Sequence, residues 1–84
     1  MAADPINAGG MRLNPAQCQQ AFNRSPAASD GCEFAGAGYD NGICSFGASC
    51  MRPDGSSHLN RESTRLENMH LWVNCGGNLR FRCP

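Results

Sequence analysis

The sequence predicts an α+β fold: one or two short helices packed on a small antiparallel sheet with a C-terminal hairpin, closed by disulfides. Three observations carry that prediction. Six cysteines, Cys18, Cys32, Cys44, Cys50, Cys75 and Cys83, are spread over almost the whole 84-residue chain. Residues 14–23, NPAQCQQAFN, carry a helix start, whereas the glycine-rich middle and the C-terminal HLWVNCGGNLRFRCP set short apolar pieces between turn signals. A chain of this length buries barely enough apolar surface to offset its conformational entropy, so covalent staples are expected to complete its stability.

Residues 1–13 are poor in large apolar groups and include Gly9 and Gly10. They read as a disordered or added arm, leaving residues 14–84 as a single disulfide-rich domain. In NPAQCQQAFN, Asn14 suits the N-cap, and Pro15 suits the first helical position, where a missing N–H costs nothing. Cys18 and Phe22 lie four residues apart on one helix face with Ala21 beside them. A helix over about 15–23 would thus be pinned by Phe22 and by a bridge from Cys18. It stops before Pro26, and SPAASDG reads as a surface loop.

The middle segment, CEFAGAGYDNGICSFGASCM, offers Phe34, Ile43, Phe46 and Met51 between glycines. Its Asn41-Gly42 pair predicts a type I′ hairpin between strands near 33–38 and 43–46. RPDGSS at 52–57 is a second turn. Asn60 followed by RESTRLEN is read as the start of a second short helix, with an extended segment as its near rival because Ser63 and Thr64 disfavour a helix interior.

For the last segment two registers compete. A two-residue turn at Gly76-Gly77 would set Trp72 opposite Phe81 and Asn74 opposite Leu79, mixing apolar and polar groups on both faces. A five-residue loop, Asn74 to Asn78, sets Val73 opposite Leu79, Leu71 opposite Phe81 and Met69 opposite Cys83. One face is then wholly apolar, and the other carries His70, Trp72, Arg80 and Arg82. Because one step of register sends every side chain to the opposite face, the cleaner alternation is preferred, and the hairpin is expected to supply the best-ordered strands. Trp72, the chain's single tryptophan, would then be displayed beside arginines, with a cation–π partner in Arg80. The competing reading covers Trp72 with the N-terminal helix or with residues 60–68 as a second small core.

Composition narrows the function classes. Six cysteines in so short a chain point to an oxidising compartment and a secreted protein. MAADPINAGG contains no apolar core of a secretory signal, so the chain is taken as a mature form. The metal alternative requires short C-x2-4-C steps, and the nearest cysteines, Cys44 and Cys50, are farther apart, so no metal or cofactor is expected. No stretch approaches the roughly 20 apolar residues of a membrane span, which excludes insertion. Formal net charge is zero and all seven basic residues are arginine, so nothing argues for nucleic acid as a partner. Neutrality likewise opposes a membrane-disrupting role. Asn23-Arg24-Ser25 fits the N-glycosylation pattern, but Pro26 follows it directly.

Trp72, Arg80, Arg82 and His70 are the candidate binding residues, because aromatic and arginine side chains dominate interface hot spots. No catalytic residue is assigned. His70 with Glu67 and Arg80 is the one set that would suit general acid–base cleavage of RNA, and its spacing matches no specific motif.

Two resemblances follow from these residues. The general plan, a short chain with three expected bridges and glycine-rich turns, resembles the small cysteine-rich virulence effectors that filamentous fungi secrete. That implies a monomeric, non-enzymatic binding protein directed at a host or cell-surface protein or glycan. Residues 48–57, ASCMRPDGSS, with residues 63–83, STRLENMHLWVNCGGNLRFRC, resemble a repeat of the cyanovirin homology domain, through a Cys before a DG turn and an N-x-x-G-x-L step at Asn74, Gly77 and Leu79. The family's fold is all-β and contains two repeats, whereas one is visible here beside a predicted helix. That resemblance implies a lectin binding mannose-rich oligosaccharide through Asn74, Asn78 and Trp72.

Overall fold

A computed structural model describes residues 15–84. The expected arm at 1–13 and the expected cap Asn14 lie outside the described residues. Helix α1 spans Pro15–Phe22 and buries Cys18, Ala21 and Phe22, the face expected from the spacing. A helix this short is marginal by itself. Its anchors are the fully buried Phe22 ring and the Cys18–Cys44 disulfide. The helix tightens at its end, where Arg24 N–H donates to Ala21 O at 3.1 Å and Ser25 N–H to Phe22 O at 2.8 Å. The expected loop after it contains a 3-10 turn, Pro26–Ser29, with Pro26 in the first turn and the Ser25 hydroxyl accepting from Ala28 N–H.

Three nine-residue strands, β1 (Cys32–Asp40), β2 (Ile43–Met51) and β3 (Ser57–Arg65), form an antiparallel meander in the order β1-β2-β3. The first turn is the one Asn41-Gly42 predicts: Asp40 pairs with Ile43, and Asn41 and Gly42 have φ of 54° and 83°. Positive φ at both central residues is what a type I′ turn demands. β2 alternates, with Cys44, Phe46, Ala48 and Cys50 buried. β1 could not keep that face by simple alternation, because Phe34 and Tyr39 have opposite parity. A bulge between Phe34 and Gly36 resolves this: the register shifts there, so Phe34 pairs with Ala48 and Tyr39 with Cys44. Both aromatic residues thereby reach the face that α1 covers.

The second short helix expected after Asn60 is a strand through Arg65, followed by a 3-10 segment at Leu66–Leu71. RESTRLEN has no apolar stripe at helical spacing, and β2 has a second edge of backbone groups that needs a ladder partner. Cys50↔His58 through Ile43↔Arg65 supplies it. The RPDGS loop between these strands closes with Arg52 N–H to Ser56 O at 2.7 Å and Gly55 N–H to Arg52 O at 3.0 Å.

The C-terminal hairpin corrects the preferred register. β4 (Val73–Cys75) and β5 (Asn78–Arg80) pair as Val73↔Arg80, Asn74↔Leu79 and Cys75↔Asn78, so the turn is Gly76-Gly77 alone. Both glycines have positive φ, 65° and 104°, as a primed two-residue turn requires. Asn74 also works inside the turn, where its Oδ1 accepts from Gly77 N–H at 2.7 Å. The wholly apolar face is not formed: Leu79 is buried, whereas Leu71 and Phe81 are 44% and 47% exposed. These three-residue strands are also the shortest in the fold, not its best-formed pair.

The core is an aromatic row. Phe22, Phe34 and Phe46 pack with centroids 5.4–5.7 Å apart, and Trp72 meets Phe46 edge-on at 5.7 Å. Cys18–Cys44 joins α1 to β2, Cys32–Cys50 joins opposed residues of β1 and β2, and Cys75–Cys83 closes the C-terminal strap. All six cysteines are thus paired, and the α+β class stands.

Candidate functional site

His70, Trp72, Arg80 and Arg82, expected to form one binding face, are not assembled into one. Trp72 is 4% exposed, with the Phe81 ring stacked on it at 4.3 Å. The two-residue turn brings Phe81 to the place where the other register had put Arg80, and Arg80 faces Val73 instead. Trp72 is therefore a core residue, not a displayed one. Asn74 is spent internally: its Nδ2 donates to Asp30 O at 2.8 Å and Met51 O at 3.1 Å, and its Oδ1 holds the turn. Asn78, Arg80 and Arg82 are exposed on the hairpin and the strap. His70 is exposed on the 3-10 segment, where it lines a cleft with residues outside the expected set.

That cleft, about 390 Å³ in volume, lies between α1 and the 3-10 segment. Its size falls at the low end of the roughly 300–1,000 Å³ of small-ligand sites. One wall is Gln17, Gln20 and Ala21, the i, i+3, i+4 stripe of α1, continued by Arg24 in the turn that follows the helix. Because Cys18 and Phe22 turn into the core, this neighbouring stripe borders the groove beside it. The opposite wall is Leu66, Glu67 and His70. In a 3-10 segment the side chains at i and i+3 eclipse, which puts Glu67 and His70 on one side. Tyr39 and Gly42, at the end of the first hairpin, complete the lining.

The walls are held independently of any ligand. Cys18–Cys44 ties α1 to β2, and Leu66 N–H donates to Gly42 O at 3.0 Å. The electrostatics are uneven. Arg65 Nε donates to Glu67 Oε2 at 2.7 Å; this bond holds the Glu67 carboxyl below its usual pKa and raises Arg65. Glu67 is thus already matched to a cation. The Arg24 guanidinium has no ion-pair or hydrogen-bond partner among the described residues. Gln17 Oε1 is buried and accepts no hydrogen bond from the described residues.

Such a lining can receive a polar molecule at fixed donors and acceptors. It contains one Glu and one His, and Arg80, the third member of the set considered for RNA cleavage, is not part of it. Of the cleft residues, only His70 was singled out as a binding candidate from sequence. The signal for the others was the polar stripe on α1, which looks like an ordinary solvated helix face until the Leu66–Leu71 segment is seen packed alongside. The chain matches no protein-family model, and no curated protein or solved structure shows significant similarity to it.

Proposed function

We propose that this chain is a secreted, non-enzymatic binding protein of effector type, acting as a single copy on a host or cell-surface target through the cleft between α1 and the 3-10 segment. The observation that carries the proposal is the cleft itself, about 390 Å³ in volume, braced by Cys18–Cys44 and by the Leu66 N–H to Gly42 O bond and lined by polar and charged side chains. Three disulfides in a domain of this size fit an oxidising, extracellular setting.

A lectin is the second reading, favoured by the amide, hydroxyl and guanidinium groups along the cleft. It no longer rests on Trp72 and Asn74, which are engaged inside the fold. Labelled protein is expected to bind intact cells or cell-wall preparations saturably, and the pair Gln17→Ala/Arg24→Ala to lose that binding while keeping its melting temperature. Binding that survives the pair would move the site elsewhere. RNA cleavage abolished by His70→Ala would replace the reading with a nuclease.

A further inference from the structure

We propose that the outer edge of β3 takes an extended peptide segment of another protein as an added antiparallel strand, with an acid opposite Arg61 and a base opposite Glu62. This surface is separate from the cleft, none of whose lining residues lies on β3. The class of partner follows from the backbone. Just beyond the two ends of the β2–β3 ladder, Leu66 N–H donates to Gly42 O at 3.0 Å and Arg52 N–H to Ser56 O at 2.7 Å. Bonded and non-bonded pairs alternate along an antiparallel ladder. His58, Asn60, Glu62 and Thr64 therefore turn their backbone groups to β2, and Ser57, Leu59, Arg61, Ser63 and Arg65 turn theirs away. The groups turned away have no backbone partner among the described residues, and their side chains are all exposed. A row of donors and acceptors at every second residue is complementary to another strand.

The opposite edge of the sheet is not equivalent. β1 has a bulge between Phe34 and Gly36, which breaks its row of outward groups and blunts it as a template. β3 contains neither glycine nor proline, and its register with β2 is unbroken from Ser57 to Arg65. Its side chains then restrict what can be added. Arg65 is matched by Glu67 at 2.7 Å, whereas Arg61 and Glu62 have no ion-pair partner among the described residues. Neither charge selects a ligand alone; on an added strand each acts on the residue directly opposite, about 5 Å away. Arg61 pairs with Gly47 and so lies on the outer face with Leu59, which is 49% exposed, whereas Glu62 pairs with Phe46 and lies on the face toward α1. A second copy of this chain is a poor occupant. Full overlap of two β3 strands sets Arg61 opposite Arg61, the nearest alternative register sets Glu62 opposite Glu62, and like charges directly opposed are destabilising.

The experiment is an NMR titration of 15N-labelled protein with a threonine-rich peptide of β3's length, carrying lysine at its fourth position, glutamate at its fifth and valine at its seventh. Paired antiparallel along Ser57–Arg65, it sets the lysine opposite Glu62, the glutamate opposite Arg61 and the valine opposite Leu59. The control peptide exchanges the lysine and the glutamate. The matched peptide is expected to shift the amides of Leu59, Arg61 and Ser63, to slow their hydrogen exchange, and to bind about tenfold tighter than the control, the size of two charge pairs turned from attraction to repulsion. Arg61→Glu/Glu62→Arg, which keeps the net charge, is expected to reverse the preference. Ser63→Pro removes an N–H that turns away from β2, so it is expected to abolish binding of either peptide with the far-UV spectrum preserved; should that variant not fold, the exchanged pair carries the test.

Absence of shifts at these amides with millimolar peptide, or shifts confined to the cleft, would overturn the strand-addition site. Equal affinity for the two peptides would overturn the charge selection and leave an edge blind to sequence. Slow exchange of the same amides that rises with protein concentration, in the absence of peptide, would make the occupant a second copy and overturn the assignment to another protein.

Discussion

The meander with α1 and the C-terminal strap are held together by different chemistry. In the meander, backbone ladders run nine residues per strand, and two buried disulfides join α1 to β2 and β1 to β2. The strap has only three-residue strands. Its attachment to the rest of the fold runs through side-chain amides. Asn60, 6% exposed, donates from Nδ2 to Gly77 O at 2.9 Å and accepts at Oδ1 from Leu79 N–H at 3.1 Å. It thereby gives β5 the donor and acceptor that a neighbouring strand would give. Asn74 fastens β4 to Asp30 and Met51 in the same way. A short hairpin that cannot form a long ladder can still be oriented, provided side-chain amides such as the buried Asn60 and the half-buried Asn74 take the place of backbone groups.

The largest expected contrast is between the disulfides. Removing Cys18–Cys44 by a double change to alanine should cost about 2–5 kcal/mol. The strap bridge closes a separation of 8 residues against 26 for Cys18–Cys44, so the chain-entropy model makes its removal about 1 kcal/mol milder. Exposure separates the bridges too. Cys18, Cys44 and Cys50 are 0% exposed and Cys32 8%, whereas Cys75 is half-buried and Cys83 exposed. Graded reductant followed by alkylation and mass analysis should therefore label Cys75 and Cys83 before any other pair. Trp72, the single tryptophan, lies under Phe81 and should report that step as an emission change with the far-UV spectrum preserved. Simultaneous labelling of all six cysteines would show that the two regions unfold as one.

Asn60 should come next. Asn60→Ala leaves Gly77 O and Leu79 N–H buried without their partner, an expected loss of about 1–3 kcal/mol. In urea the variant should show Trp72 emission shifting at lower denaturant than the far-UV signal of the meander. Coincident transitions would mean that the strap is not separately held. Asn60→Asp keeps the acceptor for Leu79 N–H but lacks the donor for Gly77 O and buries a charge, so it should be no milder than alanine.

How far each region could be read from sequence follows the same division. α1, the Asn41-Gly42 turn and the paired cysteines were legible because each rests on local chemistry: a proline at a helix start, positive φ at an asparagine and a glycine, an even cysteine count. The hairpin register was not, because hydrophobic alternation along residues 69–83 favours the five-residue loop. Two glycines in the turn and the hydrogen bonds of Asn74 decided it instead, and no run of residues 69–83 reveals that Asn74 will meet Asp30 and Met51. β3 is not legible for a related reason, since its strand character comes from the open edge of β2. The cleft was invisible because its walls are more than forty residues apart in sequence, from Gln17 to Leu66.

The smallest expected effect concerns acid. Glu67 titrates below its usual value because Arg65 donates to it, and Asp54 does so because the Ser56 hydroxyl and then the Ser56 N–H donate to it. For both carboxyls the folded chain binds a proton less readily than the unfolded chain. Their contribution to stability is therefore complete above the ordinary carboxylate value of about 4, and it is lost as pH falls through the lower folded value. Both groups are fully exposed, so solvent screening keeps the loss small. A melting series from about pH 6 down to about pH 2 should show a shallow decline, and Glu67→Gln with Asp54→Asn should flatten it. A steep acid transition surviving both changes would place a pH-sensitive contact elsewhere. Because Glu67 lines the cleft and Asp54 sits in the RPDGS loop, comparing the two single variants also divides the acid response between the cleft wall and a turn that only shapes the meander.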